Sequence, residues 1–190
     1  MTHKFDITQK SKLDNPKRRE LLPVKQVLEE IELKADEIFA DIGCGIGYFS
    51  IPAAELIHSY GKVYALDVEQ EMLNELECRR KEHNIENIQV ILTEEYDLKL
   101  EDQLVSLAFV CTVLHEVEDK ARFLKEVKRI LREDGSIAIV EWIKRTSDWG
   151  PPISHRIAVD EVKELLQSAG FTNLSETEIN EHFYIVRGNL

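Results

Sequence analysis

The stretch that decides the fold is I-F-A-D-I-G-C-G-I-G-Y-F-S, residues 38–50. Apolar residues lead into Asp41, and Gly43, Gly45 and Gly47 then alternate with other residues before an apolar segment of helical character. This pattern predicts a buried strand, a tight glycine loop and the start of a helix. Glycines permit positive φ angles and let a ligand approach the backbone closely. Three glycines directly behind an acid therefore indicate a binding loop and not an ordinary strand-to-helix turn.

Length and composition are typical of a globular protein. A chain of 190 residues predicts one domain with a sizeable core, and the 43% apolar and 32% charged residues are ordinary proportions. The formal net charge is −12. Surfaces that bind nucleic acid or membranes broadly are rich in Lys and Arg, so we expect neither kind of partner.

The three cysteines, Cys44, Cys78 and Cys111, show no metal-ligand spacing, and no metal site is predicted. Three cysteines cannot all pair, so a reducing compartment, the cytoplasm, is the simpler interpretation. The first eight residues, M-T-H-K-F-D-I-T, contain no apolar segment typical of a signal peptide. No apolar run approaches the length of a transmembrane helix.

Strand-like and helix-like patterns alternate along the chain. Apolar runs predict five strands, at 38–41, 62–66, 88–92, 104–110 and 136–143, and a closing hairpin of two more, at 171–177 and 182–187. Helical periodicity predicts helices at 69–83, 118–132 and 159–169, and one after the glycine loop with Phe49, Ala53, Leu56 and Ile57 as its buried face. Asn15 is predicted to cap a helix, Asn84 and Gly170 to stop one, and residues 134–135 to form a turn before the fifth strand. The alternation predicts an α/β fold, a mostly parallel sheet with helices on both faces, and the hairpin adds one antiparallel strand.

Ligands of such a sheet bind at the carboxyl ends of its strands. Asp67 ends the second strand, 67 − 47 = 20 positions after the last loop glycine, where a carboxylate can accept hydrogen bonds from both ribose hydroxyls. A nucleoside-containing cofactor is therefore predicted. Nicotinamide sites prefer the pattern G-x-G-x-x-G, and the position of its third glycine is occupied here by Tyr48. The acids at 41, 67 and 94 would repel the two phosphates of a nicotinamide cofactor, but they would attract a cationic sulfonium. A nicotinamide-dependent oxidoreductase is the less favoured alternative, since no Tyr-x-x-x-Lys pair is present.

The segments D-I-G-C-G-I-G-Y-F, residues 41–49, and Y-A-L-D-V-E-Q-E-M-L, residues 64–73, resemble the first two motifs of class I S-adenosylmethionine-dependent methyltransferases. L-H-E-V-E-D, residues 114–119, and F-L-K-E-V-K-R-I-L-R-E-D-G, residues 123–135, are similar to the small-molecule, type 11-like branch of that superfamily. The resemblance covers nearly the whole chain. It implies one Rossmann-like, seven-stranded methyltransferase domain over 1–190, with an N-terminal arm and helix at 1–36 and the cofactor-binding core at 37–190.

The resemblance also implies S-adenosylmethionine as cofactor, S-adenosylhomocysteine as its product, and a position for each contact. The glycine loop would lie against the methionine part, Asp67 would hold the ribose, and Glu94 would lie near the adenine amino group. Glu95 follows Glu94 where the family often has a small residue. The implied cofactor-binding residues are Asp41, Gly43, Cys44, Gly45, Gly47, Tyr48, Asp67, Val68, Met72, Glu94 and Cys111.

Methyl transfer from a sulfonium is an in-line displacement, for which positioning in a dry pocket supplies most of the catalysis. A base is needed only when the acceptor must lose a proton. The candidate catalytic residues are His115, Glu141 and His155. His115 follows the fourth strand and can act as a base or fix the loop, whereas Glu141 sits in an apolar strand and needs a partner, either an ion pair or a substrate.

The expected partner is a small-molecule acceptor, because no N-P-P-Y segment of amino-methylating DNA enzymes and no added recognition domain are present. A monomer or a homodimer is expected, and a cofactor-binding protein without a methyl acceptor remains an alternative. Residues 1–22 and 144–157 are the long stretches that the sheet does not need, and both carry cations, His155 and Arg156 among them. They form either a lid that favours an anionic or polar acceptor, or solvated surface segments.

Overall fold

The computed structural model of the protein describes residues 14–57 and 61–190. Its strands are β1 Ile38–Ile42, β2 Lys62–Asp67, β3 Ile88–Leu92, β4 Val105–Cys111, β5 Leu131–Trp142, β6 Thr172–Glu178 and β7 Phe183–Asn189. Its helices are α1 Pro16–Leu21, α2 Val24–Glu30, α3 Ser50–Leu56, α4 Gln70–Glu82, α5 Lys120–Ile130 and α6 Val159–Ala169. Short 3₁₀ turns cover Leu114–Glu116 and Ile153–His155. The predicted loose arm at 1–13 lies outside the described residues.

The seven strands form one sheet in the order β3-β2-β1-β4-β5-β7-β6. Strands β1 to β5 run parallel to one another, and β7 runs antiparallel to both of its neighbours, β5 and β6. The predicted Rossmann-like α/β fold, with its one antiparallel strand in a C-terminal hairpin, is confirmed. The strand order reverses between β1 and β4, and a ligand cleft is expected where the carboxyl ends of these two strands diverge.

The core consists of two apolar layers, one on each face of the sheet. Strand β4 contributes alternately to both: Leu107, Phe109 and Cys111 belong to the layer beneath α2, α3 and α4, whereas Ala108 and Val110 belong to the layer beneath α5 and α6. All five residues are buried. A nearly unbroken apolar run is typical of a central parallel strand that is covered on both faces, as the sequence predicted for this strand.

Residues with special backbone preferences begin and end the helices as the sequence indicates. The Asn15 side chain accepts a hydrogen bond from the Arg18 backbone N at 2.9 Å, which caps α1. Asn84 follows α4 with φ 53°, and Gly170 ends α6 with φ 93°. Both adopt the left-handed conformation that stops a helix.

Two local predictions were wrong. Leu56, predicted to face the core, is 50% exposed because the buried stripe of α3 runs through Ala53 and Ile57, and Leu56 lies roughly 100° around the helix from it. Strand β5 begins at Leu131 and not at Ser136. The register with β4 shifts there, since Val105 pairs with Leu131 but Leu107 pairs with Ser136. The predicted turn at residues 134–135 is thus an irregularity within the strand.

Candidate active site

A cavity of about 800 Å³ opens at the carboxyl ends of β1, β2, β4 and β5. Most of the residues implied to bind the cofactor line it: Gly43, Cys44, Gly45, Tyr48, Asp67, Val68, Met72, Glu94 and Cys111. Two of the three candidate catalytic residues, His115 and His155, line it as well. The topology therefore brings to one cleft residues that are more than 100 positions apart in the chain.

The three loop glycines all have positive φ, at 75°, 53° and 81° for Gly43, Gly45 and Gly47. A Cβ atom on Gly43 would lie 2.3 Å from a methyl group of Val113, and one on Gly47 would lie 2.2 Å from a methyl group of Leu76. Gly47 does not line the cavity, so its hydrogen side chain serves the packing of the loop against α4. The direct cofactor contact that the resemblance implied for Gly47 stays a prediction.

Asp67 connects the end of β2 to the glycine loop. Its Oδ2 accepts a hydrogen bond from the Gly45 backbone N at 2.8 Å, and its Oδ1 accepts one from the Glu69 backbone N at 2.9 Å. Burial raises the pKa of Asp67. A carboxylate has about four acceptor positions, so each oxygen keeps capacity for one more donor. Asp67 can hold the glycine loop and two ribose hydroxyls at the same time.

Asp41, directly before the glycine loop, is buried and bonded to α3. It is 2% exposed, and its Oδ2 accepts a hydrogen bond from the Ser50 hydroxyl at 2.5 Å. Burial raises the pKa of Asp41 to about 7. Asp41 does not line the cavity, so its contact is with the first residue of α3. This bond connects β1 to α3 on either side of the glycine loop, and a contact between Asp41 and the cofactor stays a prediction.

His115 and Glu141 lie together. β4 and β5 are parallel neighbours, and the loop after β4 turns back over the end of β5. His115 Nδ1 lies 2.8 Å from Glu141 Oε2 and 3.1 Å from Oε1, and the His115 backbone N donates to Oε1 at 3.1 Å. Glu141 is fully buried. The partner that a buried carboxylate requires is therefore the candidate base itself.

Glu141 affects both the pKa of His115 and the orientation of its imidazole ring. Burial alone would lower the pKa of His115, but the carboxylates of Glu141 and, to a smaller extent, Glu116 together outweigh burial and raise the pKa above its ordinary value. With Nδ1 bound to Glu141, the other ring nitrogen, Nε2, lies on the side of Glu116, 3.8 Å from its Oε1. Both His115 and Glu116 line the cavity, whereas Glu141 does not. Glu141 can thus orient the imidazole without touching a substrate.

Aromatic side chains form the wall beside His115. Trp142 and Phe183 face each other across the β5–β7 pair with ring centroids 4.1 Å apart, and both line the cavity. Trp149 and Pro151, from the loop after β5, complete this side. Trp142 is therefore both buried and part of the wall.

Arg156 has a different role from the cationic cover predicted for it. Its guanidinium donates to the backbone oxygens of Ile143, Arg145, Trp149 and Pro151 at 2.6–3.1 Å. The residue is buried, so its charge holds the loop after β5 in shape and does not face an acceptor. The loop itself reaches the cavity through residues 148–152 and His155, as the lid hypothesis requires.

Residues that line the cavity but were not identified as site residues from the sequence include Glu69, Thr93 and Phe183. Arg18 and Trp149, which also line it, belong to the two segments that were considered as covers. Thr93 directly follows β3, so its position at a strand end, which identified Glu94 as a site residue, could have identified Thr93 as well. Thr112 has φ 56°, rare for a β-branched residue, and nothing in its sequence neighbourhood indicates this.

Within residues 14–57 and 61–190, no three metal-ligating side chains come together as a possible metal site. Among the described helices, none is long and apolar enough to span a membrane.

Fold and site together define an enzyme that binds a nucleoside-containing cofactor across the β1–β4 switch point. The family model for a methyltransferase domain matches residues 40–139, so the chain belongs to the methyltransferase-domain family. A solved structure of a SAM-dependent methyltransferase from Aquifex aeolicus is 32% identical, with a TM-score of 0.93, over 98% of this chain and 99% of that one. S-adenosylmethionine is thus the cofactor of this family member, and the nicotinamide alternative is not supported.

Curated relatives match over different shares of their length. A demethylmenaquinone methyltransferase of Lactobacillus johnsonii is 25% identical over 82% of this chain and 76% of its own length. An uncharacterized 37.1 kDa protein of transposon TN4556 from Streptomyces fradiae is 31% identical over 65% of this chain, but the match spans only 36% of that protein. The [4+2]-cyclase SpnF shares the fold at 17% identity and a TM-score of 0.75, over 87% of this chain. The fold alone therefore does not fix the reaction.

The residues present fit S-adenosylmethionine. Asp67 keeps acceptor capacity for a ribose diol, and Val68 and Met72 supply apolar surface beside it for an adenine ring. Cys111, implied to pass its backbone beneath the methyl group, lines the cavity at the end of β4. Burial raises the pKa of its thiol to about 12, which leaves it uncharged and unreactive near neutral pH.

Proposed function

We propose that the protein transfers a methyl group from S-adenosylmethionine to a small molecule held beside His115. The observation that carries this proposal is that one cavity has a cofactor half, around the glycine loop and Asp67, and a second half walled by Trp142 and Phe183. The cofactor supplies an activated methyl group on a sulfonium. The protein positions the acceptor for in-line attack and excludes water from the reacting atoms.

We propose His115 as general base for an acceptor that must lose a proton. Glu141 holds Nδ1 in its protonated form, which leaves Nε2 to accept a proton from a hydroxyl, phenol or similar group. Glu141 is a positioning residue in this account. His155, which also lines the cavity, is proposed as a second candidate for contact with the acceptor.

The acceptor is proposed to be a flat, largely apolar molecule. The walls are aromatic, and the relatives named demethylmenaquinone methyltransferases support an acceptor with a ring system. The acidic side chains that line the cavity are Asp67, Glu69, Glu94, Glu95, Glu116 and Asp148. An anionic acceptor, which the cations of the two predicted cover segments favoured, has little support from this lining.

Three further expectations stay predictions: a single domain over residues 1–190, a cytoplasmic location, and a monomer or homodimer without nucleic-acid or membrane partners. The unpaired cysteines support the second, because Cys44, Cys78 and Cys111 are all free thiols. The net charge of −12 supports the absence of a nucleic-acid partner.

A panel of phenols, catechols, hydroxyquinones and aliphatic amines, assayed with S-adenosylmethionine, tests the proposed function. We expect S-adenosylhomocysteine to form together with methylated product for at least one aromatic hydroxyl acceptor. Tight cofactor binding without turnover of any acceptor would favour the alternative of a non-catalytic cofactor-binding protein.

Replacing Asp67 by alanine is expected to weaken S-adenosylhomocysteine binding about tenfold to a hundredfold, since hydrogen bonds to a charged acceptor contribute roughly 1.5–3 kcal/mol. Part of the loss comes from the ribose and part from the glycine loop, because Asp67 also binds the Gly45 N–H. Titration calorimetry with an analogue lacking the ribose hydroxyls separates these parts. The effect of the substitution should shrink for that analogue, and an undiminished effect would remove the ribose from the role of Asp67.

The pH dependence of kcat/KM is expected to show an acid limb with its midpoint above about 6.5, the ordinary pKa of histidine. Glu141 raises the pKa of His115, so the base is protonated and inactive until the pH exceeds that raised value. Glu141→Gln removes the raising charge and leaves burial, so the limb should move to lower pH. A limb that stays in place in Glu141→Gln would show that another group titrates.

A further inference from the structure

Arg18, on α1, is one of the residues that line the cavity. On α1, its neighbours are paired: Lys17 with Glu20, and Arg19 with Asp14. Arg18 makes no ion pair within the described part of the chain, and its buried Nε donates to no acceptor there. Its guanidinium carbon lies 5.0 Å from the centroid of the Tyr48 ring. A cation that lines a cavity without a carboxylate partner among the described residues can pair with an anionic group of a bound ligand.

The segment that carries Arg18 is fixed to the glycine loop. The Arg79 guanidinium bonds to the Asp14 carboxylate just before α1, and it also donates to the backbone oxygen of Ile46 at 2.9 Å. The Tyr48 hydroxyl donates to the backbone oxygen of Leu22 at 2.8 Å, just after α1. These bonds fix the position of α1, and therefore of Arg18, relative to the glycine loop.

Arg18 has a charge opposite to that of the other charged residues that line the cavity. It is the only Lys or Arg among the described residues that line the cleft, whereas six acids line the same space. Burial raises the pKa of Asp41 to about 7 and that of Cys111 to about 12, and the positive charge of Arg18 opposes both increases. Arg18 lines the same cavity as Gly43, just after β1, and Cys111, at the end of β4.

S-adenosylmethionine carries one anionic group, the α-carboxylate of its methionine end. With the ribose at Asp67 and the adenine beside Val68 and β3, the methionine end must extend the other way, over β1 and β4. We propose that Arg18 binds this carboxylate and so selects cofactors that carry a complete amino-acid end. A guanidinium suits the task, because its planar N–H groups pair with both oxygens of a carboxylate. The proposal rests on the cofactor placement given above.

The test compares S-adenosylhomocysteine with its decarboxylated analogue, which keeps the adenosine, the thioether and the ammonium group but lacks the carboxylate. Titration calorimetry of the full chain should show that Arg18→Gln weakens binding of S-adenosylhomocysteine about tenfold to a hundredfold. Binding of the decarboxylated analogue should change less than about threefold, since the lost contact is absent in it already.

Two further variants complete the experiment. Lys17→Gln removes a cation from the same helix that is paired with Glu20, and it should leave both affinities unchanged. Arg18→Lys keeps the charge without the planar fork, so it should recover part of the affinity for S-adenosylhomocysteine only. It also serves as the second test of the site, should the glutamine variant fold poorly by circular dichroism.

An equal loss for both ligands would overturn the assignment and make Arg18 a support of the loop. Unchanged S-adenosylhomocysteine affinity with reduced turnover would also overturn it and move Arg18 to the acceptor side. If the unaltered protein bound neither ligand, the cofactor placement itself would fail, and the carboxylate contact with it.

Discussion

His115→Asn is expected to reduce kcat about a hundredfold to ten-thousandfold for a hydroxyl acceptor, the range over which a positioned general base acts. Asparagine can still donate a hydrogen bond to Glu141, so the buried carboxylate keeps a partner. It has no nitrogen at the Nε2 position to accept the proton. Because His115 is placed on the acceptor side of the cavity, the dissociation constant of S-adenosylhomocysteine should change less than about threefold.

Glu141→Gln is the matched variant. It preserves volume and one acceptor oxygen but removes the charge, so the imidazole stays roughly in place while its basicity falls. We expect a smaller loss of kcat than for His115→Asn. Rapid-quench measurement of product in a single turnover isolates the chemical step. If His115→Asn keeps the single-turnover rate of the unaltered protein, His115 fixes the loop after β4 and does not transfer a proton.

Gly45→Val is expected to weaken cofactor binding by more than about a hundredfold. Gly45 has φ 53°, which a β-branched residue adopts only with strain. Its N–H binds Asp67, so a shift of the loop to relieve that strain breaks the connection to β2. A valine side chain would in addition occupy the wall of the cavity where the cofactor must approach the backbone. The dissociation constant of S-adenosylhomocysteine is the quantity to measure.

Gly170→Val is the control, since Gly170 also has positive φ, 93°, but ends α6 and does not line the cavity. Both variants should lower the midpoint of thermal unfolding through backbone strain, and only Gly45→Val should lose the cofactor. A folded Gly45→Val protein that binds S-adenosylhomocysteine normally would refute the position of the cofactor on the glycine loop.

The fold could be predicted almost completely, because its signals are local. β3 and α6 have the predicted bounds, and Gly170 stops α6 where the sequence places the stop. The errors fall where local patterns do not decide. Leu56 fits a helical repeat, but the short α3 buries the small residues around Ala53 and leaves Leu56 in solvent. The early start of β5 depends on pairing with β4, which a local pattern does not contain.

The site was only partly predictable, because strand ends are visible in the sequence and side-chain partners are not. Asp67 and His115 follow apolar runs and were found on that basis. The pairing of His115 with Glu141 depends on β4 and β5 being neighbours. From the sequence, Arg156 is an ordinary surface cation, but in the structure its loop surrounds it and supplies its hydrogen-bond acceptors. Arg18 is one of three consecutive basic residues in the sequence, and only the position of α1 places it beside Tyr48.

The central claim is that one cavity is divided between cofactor and acceptor at His115, and a crystal structure of the complex with S-adenosylhomocysteine tests it most directly. The account predicts the ribose hydroxyls on Asp67, the adenine beside Val68, and the sulfur directed into the space bounded by His115 and Trp142. An adenosine group bound away from Asp67, or a sulfur directed away from His115 with the cofactor otherwise in place, would contradict it.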